Sequence, residues 1–164
     1  MFPAELLALA AAAGAALVQR DQKVAVAESS AGGLISATLL TVPGASAFYL
    51  GGAVVYTARS RGLLFGRDEL PPDTRGATEG FVQHLSLGAR REMRADWGLA
   101  ETGATGPSGN PYGDPAGHAW VGVARPDGAT TARNVSTGSD DRVANMVRFA
   151  TAALTLLVEE IDRT

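Results

Sequence analysis

The 164-residue sequence contains no cysteine. That excludes disulfides, thiolate metal ligands and a cysteine nucleophile. Lysine occurs once, at Lys23, against thirteen arginines. A mechanism that needs a lysine able to lose its proton therefore has one candidate. Histidine occurs twice. His84 falls on an expected helix and His118 on an expected strand, neither with a partner at metal-ligand spacing, so no metal site is expected. Neither follows a strand end, so no Ser–His–Asp arrangement is expected. An excess of basic charge is also missing. The net charge of −3 leaves no basic face for nucleic-acid backbones, and no nucleic-acid partner is expected.

What is present reads as a globular protein. Hydrophobic residues make up 46% of the chain and charged residues 19%, enough to bury a core without covalent staples. The length fits one domain over residues 1–164. The apolar start, Met1–Arg20, lacks a basic leading segment, carries Glu5 and runs into Gln19, Arg20 and Asp21. It is read as a first helix from Pro3 to Gln19 rather than a leader. The expectation is a soluble, cytoplasmic protein with no membrane partner.

Periodicity and turn signals divide the rest. Lys23–Ala27 is a short β-branched run, expected as a buried strand. A small-residue turn, Glu28–Gly33, leads into an apolar helical pattern from Leu34 to Leu40 that stops at Pro43-Gly44. Ala53–Tyr56 is the next expected strand, preceded by Gly51-Gly52. A short helix follows over Thr57–Phe65, then a loop over Asp68–Arg75. Thr78 and Glu79 are placed to start a helix that reaches about Asp96. Leu99–Thr102 is a weak strand signal. Gly103–Gly117 holds five glycines and three prolines in fifteen residues and reads as a loop. His118–Ala124 and Thr130–Val135 read as strands joined by a hairpin turn at Pro126-Asp127-Gly128. Ser139 or Asp140 is placed to cap a last helix that runs to Ile161. Helices alternate with strands, and one hairpin lies near the end. The expected fold class is therefore α/β: a three-layer α/β/α sandwich on a mixed, mostly parallel sheet with one antiparallel strand.

In such sheets ligands bind beyond the carboxyl ends of the strands. Three segments are expected to gather there: Glu28–Gly33, Tyr56–Arg61 and Gly103–Gly117. Ser29 and Ser30 precede an expected helix whose first N–H groups favour an oxyanion or phosphate. A serine there is either a nucleophile beside its own oxyanion hole or an N-cap with packing glycines behind it. Tyr56 stands at a strand end with Arg59 and Arg61 one turn later. The phenol can relay a proton and an arginine can hold a phosphate, or both can simply face an interface and solvent. Gly103-Ala-Thr-Gly106-Pro107-Ser-Gly109 lacks the lysine of a nucleoside-triphosphate loop. A glycine-rich loop of fifteen residues in a compact domain is nevertheless usually functional.

Taken in order, these segments resemble the CinA carboxy-terminal domain family. Val24–Gly33 resembles its Ala-Glu-Ser-x-Thr-Gly-Gly signature, and Gly52–Tyr56 its next strand. Ala77-Thr78-Glu79 is similar to its Ala-Val-Ser-Glu segment. Gly103–Gly109 with Pro115–Ala124 resembles its glycine-proline loop and following strand. Gly138–Arg142 is similar to its Gly-Asp-Arg entry to the last helix. The resemblance covers about residues 5 to 160. It implies a homo-oligomeric nicotinamide-nucleotide amidase with no cofactor. Such an enzyme hydrolyses nicotinamide mononucleotide, its small-molecule partner, to nicotinic acid mononucleotide and ammonia. It further implies Ser29 as nucleophile, with Tyr56 and Arg61 as catalytic neighbours. Glu28, Ser30, Gly32, Gly33, Gly103, Thr105, Gly106, Pro107 and Arg142 would bind the substrate, with the amides near Gly32 and Gly33 holding the oxyanion. Two positions depart from the family pattern: Arg61 stands where a lysine is usual, and Ala31 where a threonine is usual. Arginine in practice keeps its proton, so Arg61 is a poor general base. The resemblance therefore leaves open an active amidase and a member that binds a pyridine nucleotide or partner protein without hydrolysing it. Full-length members also carry an amino-terminal domain of molybdopterin-binding type, for which these 164 residues have no room.

Overall fold

Helix α1, Ala4–Gln19, buries Leu6, Ala10, Ala13 and Leu17, a spacing that sets one stripe against the core. A computed structural model describes residues 2–64, 70 and 74–164 of the chain. In order after α1 come β1 (Val24–Glu28), α2 (Leu34–Leu39), a 3-10 turn (Ala45–Ala47), β2 (Tyr49–Val54), α3 (Ala58–Leu64), α4 (Glu79–Glu92), β3 (Trp97–Ala104), β4 (His118–Ala124), β5 (Thr130–Ser136) and α5 (Arg142–Arg163). The sheet order is β2-β1-β3-β4-β5. Strand β1 pairs in parallel with β2 and β3, β4 is antiparallel to β3, and β5 is antiparallel to β4. One strand, β4, runs against the other four.

Helices cover both faces. One face carries α1, α2 and α5, which pack on one another, and α4 lies across the other. Two cores follow. Val24, Val26, Leu99 and Val121 meet α1, α2 and α5, while Ala25, Ala27 and Ala100 meet Val82, Leu85 and Ala89 of α4. All five residues of β1 are buried, as a central strand with two covered faces requires. This is the expected sandwich. Among the described residues no helix is long and apolar enough to cross a membrane.

Strand β1 is shifted by one residue from the expected Lys23–Ala27 and β5 ends one residue past the expected Val135; two strands depart further, and glycine is involved in both. Strand β2 begins at Tyr49 rather than Ala53 and takes Gly51 and Gly52 into its interior. A Cβ on Gly52 would lie 2.4 Å from the Ser36 hydroxyl and 2.7 Å from that of Tyr49. Strand β3 runs from Trp97 to Ala104 rather than Leu99 to Thr102. A Cβ on Gly98 would lie 1.9 Å from the Ser86 carbonyl oxygen of α4, and one on Gly103 would lie 2.6 Å from the His118 carbonyl oxygen of β4. These glycines permit close approach rather than break strands. The long helix ends at Glu92, short of Asp96, and α5 is capped by Asp141, whose carboxylate accepts the Ala144 N–H, not by Ser139 or Asp140. Thr78 caps α4 as expected, accepting from the Phe81 N–H. The expected end of the α3 helix at Phe65 and most of the Asp68–Arg75 loop lie outside the described residues.

Candidate active site

The chain passes from β1 to β2 on one side of β1 and then from β2 to β3 on the other side. The carboxyl ends of β1 and β3 therefore flank the switch point where open α/β sheets bind ligands. Two adjoining clefts open there. The larger, about 410 Å³, is lined by Ser29, Tyr56, Arg61, Arg75, Phe81, Thr102, Gly103, Asn110 and Tyr112 among others. The smaller, about 230 Å³, is lined by Ser30, Tyr56, Gly103, Thr105, Gly106, Ser108, Asn110 and Arg142 among others. Tyr56, Gly103 and Asn110 line both.

Strand β1 delivers two adjacent serines to different clefts. Ala25 and Ala27 face the α4 side and Val24 and Val26 the other. Past Glu28 the chain turns, and Ser29 lines the larger cleft and Ser30 the smaller. Ser29 is half-buried, and its hydroxyl makes no hydrogen bond with a described residue. Ser30 is buried and donates its hydroxyl proton to Glu101 Oε1. Tyr56, two residues beyond β2, is 62% exposed. Arg61 on α3 stands over the Phe81 ring at 5.9 Å, with no carboxylate partner among the described residues.

Glu101 is fully buried on β3. Its Oε2 accepts the Ala31 N–H at 2.8 Å and the Ser29 N–H at 3.2 Å. Burial pushes the carboxyl up to about 7; the bonds from Ser30, Ala31 and Ser29 hold it down in part, and nearby Glu28 raises it again. The loop after β3 is pinned at both ends. The buried Asn145 side chain donates to the Thr105 carbonyl at 2.9 Å and the Ser139 carbonyl at 2.8 Å, and accepts from the Thr137 hydroxyl at 2.6 Å. Farther along, Asp114 accepts a forked pair of bonds from Arg75 at 2.5 and 3.0 Å and one from Asn110 at 2.8 Å. The Arg75 bond leads in holding the Asp114 carboxyl down at about 2. Arg75 also lies 5.2 Å from the Tyr112 ring centre. This fastens the loop over the larger cleft.

Of the residues singled out in the sequence, Ser29, Tyr56, Arg61 and Gly103 meet in the larger cleft, and Ser30, Thr105, Gly106 and Arg142 meet in the smaller. Arg142 donates to the Gly106 carbonyl at 2.7 Å. Four residues lie elsewhere. The Glu28 carboxylate is buried and accepts from the Ile35 and Ser36 N–H groups at 2.9 and 2.8 Å, so it caps α2 instead of facing a ligand. Neither serine caps α2; its N-cap is Gly33. Gly32 and Gly33 line a separate apolar cleft with Met146 and Val143, and the Gly32 N–H is spent on the Ser29 carbonyl at 3.2 Å. The Gly32 N–H is therefore committed within the turn, and neither glycine lines the cleft that holds Ser29. Pro107 follows a cis peptide bond and lines neither cleft. Glu101, Arg75, Asn110 and Tyr112 were not expected. A lone glutamate inside the apolar run from Trp97 to Ala104 is the one signal that pointed to the first of these.

The family model of the CinA C-terminal domain matches residues 6–161. A CinA-like protein from Desulfosudis oleivorans is 39% identical over 152 residues, covering 92% of this chain and 37% of its own length. One from Salinibacter ruber is 36% identical, covering 95% and 37%. The chain thus spans a little over a third of these relatives. A crystal structure of a competence-damaged protein (CinA) superfamily protein from Klebsiella pneumoniae is similar at 26% identity and TM-score 0.89, covering 97% of this chain and 99% of the other. The competence/damage inducible protein CihA from Agrobacterium tumefaciens gives the same identity and TM-score, covering 97% of each.

Proposed function

The chain belongs to the CinA C-terminal domain family, and from that membership we propose that it is an amide hydrolase converting nicotinamide mononucleotide to nicotinic acid mononucleotide and ammonia. One observation carries the reading. Ser29 from one segment and Tyr56 and Arg61 from another line a single cleft at the sheet's switch point, and the Ser29 hydroxyl is uncommitted among the described residues. Ser29 Oγ attacks the carboxamide carbon. Its proton passes to the Tyr56 oxygen as the phenol gives its own to the departing nitrogen, which leaves as ammonia. Water then cleaves the acyl-serine and restores the hydroxyl, releasing the carboxylic acid. The Ser30 N–H, which donates to no described residue and belongs to the residue next to Ser29, serves as oxyanion donor in place of the Gly32 and Gly33 amides. Arg61 and Arg142 supply positive charge for the phosphate.

The test is ammonia release from nicotinamide mononucleotide by the purified protein. Ser29→Ala is expected to lower kcat by about 10³-fold or more, as loss of a serine nucleophile does. Full activity in that variant overturns the assignment. A second reading, nucleotide binding without hydrolysis, is favoured by the permanent charge of Arg61 beside the Ser29–Tyr56 pair. Under it the natural protein binds the nucleotide and releases no ammonia, and Arg61→Lys with Ala31→Thr brings turnover.

A further inference from the structure

Glu101 has no part in the reaction just described, yet it is the carboxylate most closely tied to the turn that carries Ser29. It accepts the N–H of Ser29, the hydroxyl of Ser30 and the N–H of Ala31, three donors from three consecutive residues. It is fully buried. Among the described residues, the elements around it leave it no counter-charge. Glu28 on β1 is the charged group that acts on it. Its register partner on β4 is Val121, α2 carries no ionisable side chain, and Arg142 at the start of α5 is engaged with Gly106.

A serine hydroxyl has one proton and two lone pairs. When Glu101 is ionised, above about pH 7, that proton is committed to Glu101 Oε1, and Ser30 Oγ keeps only lone pairs for the cleft it shares with Tyr56, Thr105 and Arg142. A carboxamide presents two N–H donors on its nitrogen, whereas the carboxylate formed from it presents only acceptors. We propose that Glu101 is a positioning residue that turns Ser30 into an acceptor-only group, and that Ser30 thereby selects a ligand's carboxamide N–H over the corresponding carboxylate. The choice of nucleotide rests on the amidase reading; the Ser30–Glu101 pairing does not. In Glu101→Gln the amide oxygen can still accept the two backbone N–H groups. Its NH₂ then donates to Ser30 Oγ, and the serine proton must turn toward the cleft.

The experiment compares calorimetric affinities for nicotinamide mononucleotide and nicotinic acid mononucleotide in the Ser29→Ala background, so that turnover is blocked, at a pH well above the value of about 7 at which Glu101 ionises. The parent is expected to favour the amide by about tenfold, the worth of one hydrogen bond to a group left otherwise unpaired. Glu101→Gln is expected to lose or reverse that preference, and Ser30→Ala to abolish it without reversing it. An unchanged ratio in either variant overturns the proposal. Ser30→Ala keeps the other two bonds to Glu101, so it decides the question if Glu101→Gln fails to fold. Binding of neither nucleotide overturns the amidase reading instead. The pairing is then decided by ¹³C NMR titration of the Glu101 carboxyl. Removal of the Ser30 hydroxyl is expected to move that titration to higher pH, and an unmoved titration overturns the proposal.

Discussion

Glu101 ties the stability of the chain to pH. Burial raises its carboxyl from an ordinary 4.5 to about 7 in the folded state. The folded chain therefore holds this proton through a window in which the unfolded chain has lost it, and stability falls as pH rises from about 4.5 to about 7. The full penalty, present above that window, is on the order of 3 kcal/mol. Thermal unfolding of the natural protein is expected to show Tm falling by roughly 5–10 °C between pH 5 and pH 8. Glu101→Gln, which carries no titrating proton, is expected to flatten that slope; an equal slope in both proteins refutes the assignment. Glu28, on the adjacent strand, could be taken for a ligand group from sequence, because a glutamate beside two serines and two glycines looks like a site. Its carboxylate instead satisfies two amides at the start of α2, a task that becomes visible only once the chain has folded back on it.

At the scale of elements, the glycines of β3 carry the strongest constraint. Strand statistics disfavour glycine because it adds no packing and costs entropy, which is why residues 97–104 give only a weak strand signal. The tertiary reason for Gly98 is the approach of α4, with the Ser86 carbonyl 1.9 Å from where a Cβ would stand. Gly98→Ala must push backbone against backbone, so α4 has to lift from the sheet. The expected cost is about 2–3 kcal/mol, read as a lowered urea midpoint with an unchanged m-value. The helices are far more legible. Leu6, Ala10, Ala13 and Leu17 in α1, and Phe149, Ala150, Ala153, Leu154, Leu157 and Ile161 in α5, repeat at helical spacing. That pattern survives in the fold because both helices bury one face against the same core.

At the scale of the molecule, Asn145 joins what the chain order keeps apart. It ties the loop after β3 and the segment after β5 to α5, and so sets the wall of the smaller cleft. Asn145→Ala leaves the buried Thr105 carbonyl without that donor, at an expected cost of about 1–3 kcal/mol. The loop over 105–117 is expected to exchange its amide protons faster, and nucleotide affinity to fall, while the sheet stays protected; uniform protection throughout would show the tie to be dispensable. Sequence alone determined the α/β class, the single antiparallel strand, the hairpin at Pro126–Gly128 and the three segments at the candidate site, because hydrophobic period, turn chemistry and motif order are local along the chain. Only the tertiary structure decided which atoms of those segments face the clefts. Whether an amide of Gly32, a carboxylate of Glu28 or a hydroxyl of Ser29 is free depends on partners far along the chain, such as Glu101, and hydrogen-bond capacity is spent between neighbours in space.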